Sequence, residues 1–253
     1  MRLVGVGVGP GDPEMLTLAA VREIQAAATV FVPVLAPDEQ GRAEAVVRAH
    51  LEDGDSRVRR LVFALADSVD GSQERRLRHW DAAAAEVAER LRTHGGSVVF
   101  ATLGDPSLYS TFTYLAATVR GLLPDLELVT VPGITAMQAA AAQAGISLTE
   151  GAESLTVIPV TRDVTALQAA LSAGGTVVAY KGGRRIGELR SVIADSGALD
   201  RAVYAEHLGT PDARVLPLSD LNVSEVDGEA VDSAPYLSTV VVLPPRGGRG
   251  EQL

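Results

Sequence analysis

The chain has 253 residues, 47% hydrophobic and 21% charged, enough to bury one large core or two smaller ones and unlike a disordered polymer. A formal net charge of −10 works against nonspecific nucleic-acid binding, which needs Lys and Arg set against phosphates. The absence of cysteine excludes disulfides, thiolate metal sites and thiol nucleophiles, and His50, His79, His94 and His207 are too scattered for a ligand-spaced pair, so surface or capping roles are expected of them.

Strand and helix signals alternate along the chain. Leu3–Val8 reads as a buried strand, and Pro13–Ala28 as a helix capped by Asp12, with Leu16, Leu18, Val21 and Ile24 as its apolar face. Thr29–Val34 is a short β-rich run. Arg42–Leu51 reads as helix, Arg57–Phe63 as strand and Gln73–His94 as a long helix with an alanine-rich packing face. Ser97–Thr102 is apolar and β-branched, as a strand covered on both faces should be. Leu126–Val131 is a further strand and Ile134–Ala144 a further helix. From about Gly151 the pattern restarts, with strands expected at Ser154–Val160, Thr176–Tyr180, Ala202–Glu206 and Leu237–Leu243, and helices at Val164–Ser172 and Ile186–Ser196.

This order predicts an α/β protein of two α/β domains, 1–148 and 149–243, with mostly parallel or mixed sheets and a mobile tail over 244–253. No apolar run has the length of a membrane span, and the start lacks a basic region before a hydrophobic signal core. The expectation is a soluble, cytoplasmic chain with no nucleic-acid or membrane partner and no metal.

Three strand-to-helix turns carry glycine. The first, Gly5-Val6-Gly7-Val8-Gly9-Pro10-Gly11-Asp12-Pro13, is not a dinucleotide fingerprint, because the third glycine of that motif would fall on Pro10 or Asp12. The second is Leu103-Gly104-Asp105-Pro106, where Asp105 is expected to cap the next helix or to accept a bond from a ligand. The third is Pro132-Gly133-Ile134-Thr135-Ala136. Glycine at the C-terminal end of a buried strand sits where α/β sheets bind ligands, so three such turns predict a shared cleft.

These turns, in this order, together with Tyr180-Lys181-Gly182 and Gly209-Thr210-Pro211, resemble the tetrapyrrole methylases, the class III S-adenosylmethionine-dependent methyltransferases. The resemblance covers nearly the whole chain. Phe31-Val32-Pro33, Leu108 to Tyr114 and Pro235-Tyr236-Leu237-Ser238-Thr239 are most similar to the subgroup that methylates the C20 meso carbon of precorrin-2. The precorrin-2-forming members carry an Asp-Arg pair where Val32-Pro33-Val34-Leu35 stands here. The segment 54–71 carries no motif.

The resemblance implies an S-adenosylmethionine cofactor in a cleft between the two domains. Leu103, Gly104, Asp105 and Leu108 would meet its methionine part, Ser110, Thr111, Thr135 and Ala136 would line the pocket, and Tyr180 and Lys181 would contact the adenosine. Gly9, Pro10, Gly11 and Asp12 would guide the tetrapyrrole. Its carboxylates would meet a basic cluster of Lys181, Arg184, Arg185 and Arg190, with Arg162 a further candidate; Lys181 is the only lysine. Asp12, Asp105 and Tyr109 are all candidate proton acceptors, and the sequence chooses none. A homodimer is implied as well. Methylation at another ring carbon and a non-catalytic nucleotide-binding module are the competing readings.

Overall fold

The computed structural model describes residues 1–63, 73–222, 225–226, 229–230, 234–235 and 237–247. They belong to two compact units, Met1–Thr135 and Ala136–Leu253. The division after residue 148 read from the sequence differs by helix Ala136–Ala144, which packs on strands of the second unit.

The first unit contains strands β1 (Arg2–Gly7), β2 (Thr29–Val34), β3 (Val58–Val62), β4 (Ser97–Thr102) and β5 (Glu127–Val131). Its helices are α1 (Leu18–Ala26), α2 (Arg42–Arg48), α3 (Gln73–His94) and α4 (Phe112–Leu122). The sheet runs β3-β2-β4-β1-β5, and every pairing is parallel. Because strand side chains alternate, Leu3 joins α3 and α4 on one face, while Val4, Val6 and Val8 join α1 and α2 on the other. Both faces are covered, which explains the unbroken apolar run Val98-Val99-Phe100-Ala101, all fully buried. Val98, Val99 and Phe100 each contribute about 1.5–3 kcal/mol of burial free energy, and Ala101 less. Gly5 belongs to this packing, since a Cβ there would overlap the Phe112 ring.

The crossovers α1 and α2 wind the chain one way from β1, and α3 and α4 bring it back. The direction reverses between the neighbours β1 and β4, the kind of switch point beside which open α/β sheets bind ligands. One polar clamp supports this layer. Glu44 of α2 is fully buried and accepts bonds from Arg48 (2.8 Å) and Arg60 (2.6 Å). Burial raises its pKa, but the two guanidiniums outweigh that and hold it below the usual carboxylate range.

The long helix expected over Pro13–Ala28 is two pieces. A 3₁₀ turn, Pro13–Met15, is capped by Asp12, which accepts from Glu14 N at 2.8 Å. α1 then starts afresh with Thr17 as its cap, accepting from Ala20 N at 3.1 Å. The break turns Leu18 outward, 81% exposed, while Ala20 and Ile24 are buried.

The second unit contains α5 (Ala136–Ala144), β6 (Leu155–Pro159), α6 (Thr165–Ala173), β7 (Thr176–Tyr180), α7 (Ile186–Asp195), β8 (Ala202–Glu206) and β9 (Arg214–Pro217). A two-stranded hairpin, β10 (Glu225–Val226) with β11 (Glu229–Ala230), and β12 (Thr239–Val242) complete it. The main sheet runs β6-β7-β12-β8-β9. β6 and β7 are parallel, and the other pairings are antiparallel. β9 and the hairpin add to the four strands read from the sequence. α6 and α7 cover one face over Leu167, Ile186, Leu189, Ile193 and Tyr204. In the segment expected to be mobile, Arg246 donates to Glu153 at 2.7 and 3.0 Å and to the Ser147 carbonyl at 3.0 Å; residues 248–253 lie outside the described residues. Tyr236 and residues 64–71 of the motif-free segment also lie outside them.

Candidate active site

In the first unit the turns leaving β1, β4 and β5 touch backbone to backbone. Val8 N donates to Thr102 O at 2.9 Å, and Gly104 N donates to Gly9 O at 2.7 Å in an isolated antiparallel bridge between the two turns. A Cβ on Gly7 would lie 2.7 Å from Gly133 N, and one on Gly133 would lie 2.8 Å from Gly7 Cα. No side chain fits between these backbones, which is the physical reason for glycine at both places. Gly104 is left-handed (φ 67°), and the position its Cβ would take has no protein atom within 4 Å. Its backbone therefore faces open space at the switch point, where a ligand can approach the main chain.

Asp105 fastens this clasp. Its Oδ2 accepts from Gly133 N at 2.9 Å, while Oδ1 accepts from Ser107 N at 2.8 Å and from the Ser107 hydroxyl. Burial raises its pKa, and the three donors overcome that and lower it, so it is a carboxylate at neutral pH. Asp105 does not cap α4, as the sequence suggested. That helix begins after Thr111, and Phe112 N donates to Ser110 Oγ at 3.1 Å. Ser110 Oγ in turn donates to Thr102 Oγ1 at 3.0 Å, tying the loop back to β4. Leu103 packs against the valine face of the sheet, and Leu108 N donates to the Asp105 carbonyl at 3.2 Å. Thr135 is buried at the end of the third turn.

The other first-unit candidates divide by exposure. Gly9 and Pro10 are buried; Gly11 and Asp12 are half-buried. Tyr109 is 41% exposed with a left-handed backbone (φ 51°), and burial pushes its hydroxyl pKa up. The structure thus gathers Gly9, Gly104 and Asp105 where the turns after β1, β4 and β5 meet, with Gly7 and Gly133, to which the sequence assigned no ligand role.

In the second unit Tyr180, the last residue of β7, accepts from Met137 N at 2.9 Å through its hydroxyl, so it satisfies one of the orphan donors that open α5 beside Ala136. Lys181 follows with φ 62°. The basic cluster expected around it is looser than the sequence implied. Arg184 is exposed, Arg185 donates to Glu188 at 2.5 Å, and Arg190 turns to the carbonyls of Leu218 and Ser219, each at 3.4 Å. Arg162 is exposed in the loop before α6.

A polar group missed in the sequence lies at the end of β8. Buried Glu206 accepts from the Tyr204 hydroxyl at 2.6 Å and from Arg214 at 2.8 Å. Burial first, then the Glu206 carboxylate, push the Tyr204 hydroxyl far above its ordinary pKa. This group lines a cavity of about 450 Å³ with His207 and Asn222. The available signal was the i, i+2 spacing of Tyr204 and Glu206, which places both on one sheet face. Among the described residues no cluster of metal-ligating side chains occurs, and no helix is long and apolar enough to cross a membrane.

Comparison with known proteins fits this arrangement. Residues 2–222 match the family model for tetrapyrrole (corrin/porphyrin) methylases. The chain is 32% identical to a precorrin-2 C(20)-methyltransferase of a Sinorhizobium species over 95% of its own length and 94% of the relative's. It is 28% identical to the cobalt-precorrin-2 C(20)-methyltransferase of Salmonella typhimurium, covering 95% of both chains. A Thermus thermophilus uroporphyrin-III C-methyltransferase complexed with S-adenosylhomocysteine shares the fold, with a TM-score of 0.63 and 21% identity over 95% of this chain and 97% of that one. The chain belongs to the tetrapyrrole (corrin/porphyrin) methylases.

Proposed function

We propose that this protein transfers a methyl group from S-adenosylmethionine to the C20 meso carbon of precorrin-2 or of its cobalt-bearing counterpart. One observation carries the reading: the likeness to C20-methylating relatives extends over 95% of this chain and 94–95% of theirs. A carbon methylation of this kind is an in-line displacement, which needs the acceptor carbon held at roughly 3 Å on the attack axis more than it needs acid or base help. The donor supplies an electrophilic methyl on a sulfonium. The residues at the β1–β4 switch point suit that task, because Gly104 offers open main chain and Asp105, Ser110 and Thr135 offer polar groups around it.

In this reading Asp105 is a positioning residue. Its oxygens are committed to Gly133 and Ser107, so it sets the shape of the pocket and adds negative charge beside a cationic donor. Tyr109, a phenol protonated at neutral pH whose pKa burial raises further, acts as a hydrogen-bond donor. Asp12, half-buried at the first turn, is the acceptor for the proton leaving the methylated carbon. Leu103, Leu108, Thr111 and Ala136 complete the donor pocket, and Gly11, Arg184 and Arg185 meet the macrocycle. A cytoplasmic homodimer belongs to the same reading and rests on the family resemblance. Incubation with donor labelled at the methyl carbon, with precorrin-2 and separately with cobalt-factor II, tests it. Carbon NMR is expected to place the label on C20, and label at another ring carbon or no incorporation overturns the reading.

A further inference from the structure

Three non-glycine residues among those described have a left-handed backbone: Tyr109, Lys181 (φ 62°) and His207 (φ 51°). Each lies just beyond the C-terminal end of a strand, Tyr109 in the turn after β4, Lys181 directly after β7 and His207 directly after β8. A Cβ makes this conformation unfavourable. Histidine tolerates it better than most residues, and lysine and tyrosine have no such allowance. Glycine was available nearby, at Gly182, Gly183 and Gly209. A residue held against its backbone preference at a sheet edge points to use of its side chain.

Lys181 and His207 also share an edge. Thr239, the first residue of β12, pairs with Tyr180 on one side and Ala205 on the other. The two strained residues therefore flank the start of β12, roughly 10 Å apart across two strand spacings. Lys181 is the single lysine of a chain with net charge −10, and Arg184 stands exposed three residues further on. An ammonium group repels a sulfonium and attracts carboxylates.

We infer that Lys181 and His207 are specificity-determining residues that hold carboxylate arms of the tetrapyrrole, and that the backbone strain is retained for this purpose. The inference rests on the methyl-transfer reading. Of the two roles the family resemblance gave Lys181, at the adenosine and among the basic residues facing carboxylates, it keeps the second, and it adds His207, for which the sequence implied only a surface or capping role.

Glycine and methionine substitutions separate strain from side chain. Lys181→Gly and His207→Gly are expected to raise the melting midpoint, by roughly 2–4 °C each, and to raise KM for the tetrapyrrole about tenfold or more. Affinity for S-adenosylhomocysteine, measured by calorimetry, should stay within about twofold. Lys181→Met removes the charge without relieving the backbone, so it should show the KM loss with no gain in melting midpoint. Unchanged KM in these variants, or a loss confined to S-adenosylhomocysteine binding, overturns the inference while wild-type turnover leaves the methyl-transfer reading standing. A wild-type protein that methylates no tetrapyrrole overturns both.

Discussion

In the first unit the loops leaving β1, β4 and β5 are joined through main-chain contacts at Gly7, Gly104 and Gly133, with one carboxylate, Asp105, as the fastener. In the second unit the strand ends are held by side chains, through Tyr180 on the start of α5 and through Tyr204, Glu206 and Arg214 around β8. The difference follows from topology. Parallel strands all send their loops to one edge, where backbones crowd and glycine is needed. An antiparallel insertion such as β12 brings a strand start to that edge, and larger side chains have room beside it.

The contrast predicts unequal sensitivity to small changes. Gly133→Ala should be the most damaging, because the new Cβ would meet the backbone of Gly7 and Gly104 with no flexible group to yield. A loss of about 3 kcal/mol or more in urea unfolding is expected, with S-adenosylhomocysteine binding reduced at least about tenfold. A mild effect would break the claim that backbone contact builds the first edge.

Asp105→Asn should cost about 1–2 kcal/mol at neutral pH, since the amide cannot accept from all three donors. Its folded pKa is lowered, so the stability it contributes is complete above the ordinary carboxylate pKa of about 3.9 and is lost as pH falls through the lower folded value. The gap between wild type and variant in urea unfolding should therefore close as the pH is lowered below about 4. A gap independent of pH would show that the charge is not what fastens the turns.

Tyr180→Phe should have the smallest effect, about 1 kcal/mol, by removing the acceptor for Met137 N. Hydrogen exchange is expected to accelerate at the start of α5 and to leave β1 and β4 unchanged. Equal acceleration in both units would erase the distinction.

Much of the first unit was legible because its buried parallel strands are continuous apolar runs closed by Gly-Pro-Asp turns. The glycines of the turns after β1, β4 and β5 could be found for the same reason. The bond from Asp105 to Gly133 could not, since it joins residues 28 apart in sequence, and local reading favoured a helix cap. The break before α1 was hidden by apolar residues on both sides of Thr17, whose capping role competes with continuing the helix. β9 escaped because Arg214-Val215-Leu216-Pro217 is short and ends in proline. Glu206 and Arg214 meet only through an antiparallel register that the sequence does not announce. The left-handed backbones of Lys181 and Tyr109 were invisible for a different reason, since neither residue type favours that conformation.

The place of β12 has a bearing on how the protein is made. Among the described residues it is the last strand in sequence, and it is the middle strand of its sheet, between β7 and β8. The first unit can close while the ribosome is still translating the second, but β7 and β8 must each wait with one open edge. At roughly 5–20 residues per second that exposure lasts a few seconds after β8 is complete. During that interval the nascent chain presents sticky strand borders to its neighbours, and truncation upstream of Thr239 would make the hazard permanent.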